Sequence, residues 1–328
     1  MEVSSSSQPS TRSRGLQRAE LRGLYMDSYE VSCYLKAGRA AARALREAYR
    51  RVHEGAPIKE ICEAAERAVR EAGAEPAFPC NVSINNVAAH YTAVADDELT
   101  IPKGAVVKVD VGAHVDGYIG DAAATVSLSP AWDPLVKAAE EALRRSLEYM
   151  KPGAALSNVG WAIEASIRSY GFKPIRNLTG HGLARYTLHT GVMVPNVRAG
   201  EGVVEEGAAY AVEPFATNGA GRVVDGEEAV IFSYVGAGKV RDKDAKRLLE
   251  VVWERFKSLP FTERWLIDGW GVRRVRELLK LLVEGRALHP YHVLLEGGGG
   301  MVSQFECTVV VAEGEVVVTT PYEWVASV

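Results

Sequence analysis

Cysteine is scarce in this chain. Four cysteines, Cys33, Cys62, Cys80 and Cys307, are spread over 328 residues with no CxxC pair. Such usage suits a reducing compartment better than a disulfide framework. Any metal site must then rest on Asp, Glu and His, donors that favour Mn, Fe, Co or Zn without choosing among them. Long apolar runs are also missing, none approaching the roughly 18 residues that span a bilayer. The stretch from Met1 to Gly15 is rich in Ser, Arg and Gln and has no apolar segment, so it reads as a disordered leader rather than a secretory signal. There is no excess of positive charge: a formal net charge of −4 argues against wholesale binding of nucleic acid or anionic membrane. What remains is a chain long enough to bury a sizeable core, as one large domain or two smaller ones.

The most informative stretch runs from Val106 to Ala122. Two alternating apolar runs flank Asp116-Gly117, the strongest short-range signal for a hairpin. With those two residues as the loop, Val115 faces Tyr118, Gly112 faces Asp121 and Asp110 faces Ala123. Side chains alternate along a strand, so Asp110 and Gly112 share a face, and Asp121 lies on it too. The two carboxylates become diagonal neighbours, roughly 7–8 Å apart by Cα. Val107, Val109 and Val111 mark the other face as buried, and Ala122 to Ala124 add little polarity. Two acids converging there would repel and be poorly solvated unless a cation held them.

The rest of the chain shows an internal repeat. Helical spacing runs from about Asp27 to His53, with Gly38 on the apolar stripe where it allows close packing. A second helix, through Ile58, Ile61, Cys62, Ala65 and Val69, stops at Gly73. An extended segment from Phe78 to Ile84 and the hairpin follow. The same order returns: a helix from Leu135 to Met150, another from Val159 to Ile167 ending near Gly171, an extended Pro174 to Leu178, and a strand from Ala208 to Pro214. Gly55-Ala56 overlays Gly153-Ala154, and Gly104 overlays Gly207. Each of the latter glycines is followed six residues later by an acid, Asp110 or Glu213. This implies a doubled domain with pseudo-two-fold symmetry, two helix pairs on one curved sheet, and equivalent acids meeting in a central cleft. Amphipathic helices at Asp242 to Lys257 and Val272 to Val283 interrupt the second copy. Val302 to Val311 then reads as a strand with Gln304, Glu306 and Thr308 on one face.

Three histidines complete the set. His181 sits between Gly180 and Gly182, where backbone and ring can approach a ligand closely, His189 follows, and His90 ends an uncharged extended run. Four carboxylates and an imidazole suffice for two divalent ions roughly 3.5–4 Å apart with room for water and substrate. A neighbouring glutamate can carry a proton to a leaving amine, and further histidines can bond the carbonyl or the tetrahedral intermediate. The chemistry indicated is metal-assisted amide hydrolysis.

The ordered set Asp110, Asp121, His181, Glu213 and Glu306, with Phe78-Pro79, Ser83-Ile84-Asn85, Ala88-Ala89-His90-Tyr91-Thr92, Gly180-His181-Gly182 and Gln304-Phe305-Glu306, resembles the type 2 (archaeal and eukaryotic) methionine aminopeptidases from about Leu24 to the end. The resemblance implies an α+β pita-bread fold, a metallo-aminopeptidase domain over residues 16–328 after a leader at 1–15, and a helical insertion at about 239–292. It implies that Asp110 and Asp121 hold one metal, that His181 and Glu213 bind a second, and that Asp121 and Glu306 bridge. Glu213 is the implied general base, His90 and His189 orient the substrate, and Phe78, His181 and Leu188 line a methionine pocket. The implied reaction is removal of the initiator methionine ahead of a small second residue, with two divalent ions (Co, Mn, Fe or Zn), by a cytoplasmic monomer. Its expected partners are a peptide or nascent-chain N-terminus, with ribosome association left open, and neither nucleic acid nor membrane. The alternatives are a proline-directed peptidase of the same fold and a non-catalytic binding protein. The family commonly has His after Gln-Phe-Glu, whereas this chain has Cys307, whose side chain should point away from Glu306.

Overall fold

Asp27 and Glu30 start the first helix reciprocally. The Glu30 N–H donates to Asp27 Oδ1 at 2.8 Å and the Asp27 N–H donates to Glu30 Oε2 at 3.0 Å, a capping box that satisfies two otherwise orphaned donors. The computed structural model describes residues 26–321, so the leader expected at 1–15 lies outside the described residues. In chain order the main elements are α1 (Ser28–Tyr49), α2 (Ile58–Glu71), β1 (Asn81–Ile84), β2 (Val87–Ala89), β3 (Val106–Val115), β4 (Tyr118–Ser127), α3 (Asp133–Leu147) and α4 (Leu156–Ser169). There follow β5 (Thr179–Leu183), β6 (Met193–Pro195), β7 (Ala209–Val212), β8 (Phe215–Thr217), β9 (Val223–Tyr234), α5 (Lys243–Phe256), α6 (Val272–Glu284), β10 (Leu288–Glu296), β11 (Val302–Gln304), β12 (Cys307–Ala312) and β13 (Glu315–Val318).

The β3–β4 hairpin has the register expected of it: Val115 pairs with Tyr118, Gly112 with Asp121 and Asp110 with Ala123. Asp116 and Gly117 have φ of 51° and 85°, the two left-handed residues of a type I′ turn, whose twist matches that of the strands. Gly112 is glycine because the Phe78 ring lies where a Cβ would be, and Gly120 because the backbone of Gly38 does. Helix α1 therefore rests directly on the sheet through its small-residue stripe, Ala37, Gly38 and Ala41.

The repeat is visible bond by bond. The Gly55 N–H donates to Ile101 O and the Gly153 N–H to Val204 O; Ile58 N–H donates to Leu99 O and Leu156 N–H to Gly202 O. Helices α2 and α4 both end in a left-handed glycine, Gly73 at 78° and Gly171 at 83°, the residue type that closes a helix without Cβ strain. The central apolar cluster draws on both copies, with Ile58, Ile61, Leu135, Leu143, Leu156 and Ile163 among its members. Each such side chain contributes about 1.5–3 kcal/mol on burial.

Two details differ from the sequence reading. Val302 to Val311 is not one strand: β11 pairs with β8 (Phe215 with Gln304), and β12 pairs with β7 (Val212 with Cys307). The break faces Pro214, which has no N–H to donate to a ladder. At the break Glu306 crosses to the first copy, its N–H donating to Ala123 O at 2.9 Å. The strand expected at Ala208 to Pro214 likewise shortens to β7. Beyond β8, β9 and β10 pair antiparallel, from Val223 with Glu296 to Tyr234 with Leu288. Helices α5 and α6 pack in a separate apolar cluster that includes Leu248, Val252, Leu278 and Leu282. Strand β10 joins this unit to the body by pairing with β2.

Candidate functional site

All nine residues singled out in the sequence, Phe78, His90, Asp110, Asp121, His181, Leu188, His189, Glu213 and Glu306, line one cavity of about 290 Å³. Asp110 and Asp121 come from the β3–β4 hairpin, His181 from β5, Glu213 from the turn after β7 and Glu306 from the break before β12. Ligand-type atoms of Asp121, His181 and Glu306 lie within 4.8 Å of one another. His181 Nε2 stands 3.5 Å from Glu213 Oε1 and 3.9 Å from Asp121 Oδ2. Asp110 falls outside the tightest group and lies diagonal to Asp121 across the hairpin, opposite Ala123.

The glycines flanking His181 serve close approach. A Cβ on Gly180 would overlap Ala211 O and one on Gly182 would overlap Thr190 Oγ1. Asp121 is braced through its main chain: its N–H donates to Thr308 Oγ1 at 2.7 Å, and the Thr308 hydroxyl donates back to Asp121 O at 3.0 Å. Gln304 Nε2 donates to Glu306 Oε2 at 3.1 Å and to Glu213 Oε2 at 3.4 Å.

The electrostatics are those of charge held away from water. Burial pushes the Asp110 carboxyl from 3.8 up to about 7. Burial, then the Asp110 charge, holds Asp121 well above the usual carboxylate range. Glu213 and Glu306 are raised by burial and then by their acidic neighbours. His181 goes the other way, down to about 3 through burial and the adjacent His189, and His189 falls to about 4 through burial and His90. Burial also lowers His90. The imidazoles are therefore neutral at pH 7, the form that offers a lone pair. Among the described residues, Asp110 Oδ1, Asp121 Oδ1 and Glu306 Oε1 are buried with no hydrogen-bond partner. Orphaned carboxylate oxygens beside a neutral imidazole fit a divalent cation, which would supply both the missing partner and the missing charge.

The sequence reading did not single out the cavity's other wall. Ile231 of β9 and Tyr291 of β10 line it, with Asn81, Val192, Met193 and Phe215. Tyr291 packs edge-on to His90 at 5.5 Å between ring centroids. Cys307 lies on the opposite side of its strand, inside the main apolar cluster, where burial pushes its thiol up.

Comparison with known proteins places this geometry. The model of metallopeptidase family M24 matches residues 32–252. A methionine aminopeptidase of Archaeoglobus fulgidus is 45% identical over 296 residues, 90% of this chain and 100% of that protein. One of Saccharolobus solfataricus is 43% identical over 298 residues, 90% of this chain and 99% of that protein. Among solved structures, a thermophilic Arx1 superposes with a TM-score of 0.80 at 20% identity, covering 90% of this chain and 91% of that one. The methionine aminopeptidase of Thermotoga maritima superposes at 0.66 and 23% identity, covering 90% and 98%. These structural likenesses establish the pita-bread fold, and the sequence relatives establish more. The chain belongs to metallopeptidase family M24 and, within it, to the methionine aminopeptidases.

Proposed function

We propose that this aminopeptidase removes N-terminal methionine in the cavity between its two copies, with Asp110, Asp121, His181, Glu213 and Glu306 holding two divalent ions. The carrying observation is that Asp121 and Glu306, each with a buried carboxylate oxygen left without a partner among the described residues, bring ligand-type atoms within 4.8 Å of each other and of His181. Asp121 and Glu306, one from each copy, would be the carboxylates that serve both ions in this reading. When bound, the ions supply Lewis acidity and the positive charge that allows water to react at neutral pH.

The remaining work falls to the chain. Glu213, raised by burial, is matched to taking a proton from the attacking water and passing it to the leaving amine. His90 Nδ1 lies 3.0 Å from His292 O. A carbonyl only accepts, so Nδ1 carries the hydrogen, and Nε2 of the neutral ring is an acceptor. Such a ring suits the N–H of the scissile amide better than its carbonyl oxygen. His189, with its ring centroid 4.3 Å from that of His181, bonds the carbonyl as it becomes tetrahedral in this reading. Phe78 and Leu188, with His181, give the pocket an apolar wall that suits an unbranched thioether. The substrate in this reading is a peptide or nascent-chain N-terminus with a small second residue. A cytoplasmic setting agrees with four cysteines that are free and buried.

Turnover of Met-Ala-Ser against an Xaa-Pro peptide tests the specificity: the methionyl peptide should be strongly preferred, and a preference for Xaa-Pro overturns the reading. His90→Ala should lower kcat by about 10²–10³ with bound metal unchanged. Loss of metal in that variant would mean that His90 is a ligand.

A further inference from the structure

We propose that Arg264 and Glu66 are positioning residues for His90, and that through them the inserted unit sets the geometry of the site; this rests on the reading of His90 given above. His90 has a φ of 66°, a left-handed conformation that a non-glycine residue holds only when its surroundings impose it. On its amino side the chain is fixed by β2, paired with β10. On its carboxyl side residues 91–94 belong to no helix or strand, so something else must hold them.

Tyr91 and Thr92 are tied to the start of β1, the Val82 N–H donating to Tyr91 O at 2.9 Å and the Thr92 hydroxyl donating to Cys80 O at 2.8 Å, and from the inserted unit a buried guanidinium adds a second hold. Arg264 Nε donates to Ala93 O at 2.6 Å, and Nη2 donates to Thr92 Oγ1 at 3.1 Å. Its two Nη atoms also grip Glu66 in a fork, at 3.0 and 2.7 Å. Trp265 Nε1 donates to the same carboxylate at 2.8 Å. Both charged side chains are only 5% exposed, and Thr92 and Ala93 are fully buried. Glu66 comes from α2 in the first copy, while Arg264 comes from the short turn Glu263–Trp265 between α5 and α6. Glu263 adds a parallel strap, accepting the Ala95 N–H at 3.0 Å.

A buried ion pair is a poor source of stability, because apolar residues of similar volume do as well. What this pair supplies that an apolar pair cannot is direction: a planar fork fixed by Glu66 presents its remaining N–H groups to two atoms within three residues of His90. Misplacing a catalytic ring by an ångström can cost about 10² in rate, so the segment's anchorage should be read in kcat.

The test is a double-mutant cycle on the metal-loaded enzyme, with Arg264→Lys and His90→Ala alone and combined, following Met-Ala-Ser turnover. Arg264→Lys should lower kcat about tenfold or more, leave KM within about threefold and leave bound metal unchanged. In the His90→Ala background it should cost nothing further, since groups that act as one are not additive. An unchanged kcat, an equal loss in both backgrounds, or a loss that tracks metal content overturns the proposal. If Arg264→Lys does not fold, Glu66→Gln, which keeps the shape and removes the charge, takes its place in the cycle. A wild-type protein that releases no methionine would sink the reading of the site instead. The proposal would then be decided by the NMR signal of His90 Nδ1–H, which must shift in the variant if Arg264 positions the ring and must stay if it does not.

Discussion

The two copies of the repeat reach the same cavity by different routes. The first delivers Asp110 and Asp121 from one uninterrupted hairpin, paired from Val106 with Ser127 to Val115 with Tyr118. The second delivers Glu213 and Glu306 from strands that the whole β9–β10 unit separates in sequence. In the first copy Gly112 pairs with Asp121, whereas the matching pair in the second is Phe215 with Gln304. The second copy thus places an amide where the first places an acid, and carries its acid two residues on, at the break in the strand. That amide donates to both Glu306 and Glu213. A literal duplication would have put a fifth carboxylate into a site already holding Asp110, Asp121, Glu213 and Glu306, with no further donor to offset it. Symmetry builds the cradle, and the departure from symmetry keeps its charge bearable.

The largest effect should fall equally on both copies. Asp121→Asn and Glu306→Gln should each lower kcat/KM on Met-Ala-Ser by at least about 10³, since each removes a charge from the pair proposed to serve both ions. A loss in one copy alone would break the equivalence. In metal-free protein the acids work against the fold. The Asp110 pKa is raised from 3.8 to about 7, so the folded state prefers the protonated form. Its favourable contribution is complete below about pH 4 and is lost as pH rises through about 7. Asp110→Asn should therefore stabilise the metal-free protein at pH 8, by up to about 4 kcal/mol, and leave it nearly unchanged at pH 4, as denaturant titrations at the two pH values would show. Gln304→Glu restores the symmetric charge and removes a donor. The metal-free variant should lose about 1–3 kcal/mol at pH 8 and less at pH 5. Cys307→Ser, on the far side of the strand, should cost about 1–2 kcal/mol in stability for burying a hydroxyl in the apolar cluster and leave kcat within twofold.

The same contrast explains what the sequence could show. The first copy was legible because its signals are local: Asp-Gly at a two-residue turn and alternating valines. Register then placed Asp110 and Asp121 without any tertiary knowledge. The second copy was legible only as an echo, through Gly153, Gly207 and the matching offset to Glu213. The break at Phe305–Glu306 escaped because its cause, Pro214, sits on the partner strands and not on the broken one. Thr308 shares a face with Glu306, yet its hydrogen bonds to Asp121 depend on how the copies meet. Tyr291 and Ile231 had no local signal at all, since they enter the cavity only when the inserted unit folds back onto β2.

The central claim is that side chains from both copies together hold the divalent ions on which turnover depends. The most direct measurement is Met-Ala-Ser hydrolysis by protein stripped with chelator, verified metal-free by elemental analysis, and titrated with Co, Mn, Fe or Zn under anaerobic conditions. No turnover without metal, saturable recovery with at least one ion, and no recovery in either Asp110→Asn or Glu213→Gln is the expected result. Undiminished hydrolysis by verified metal-free protein would contradict it.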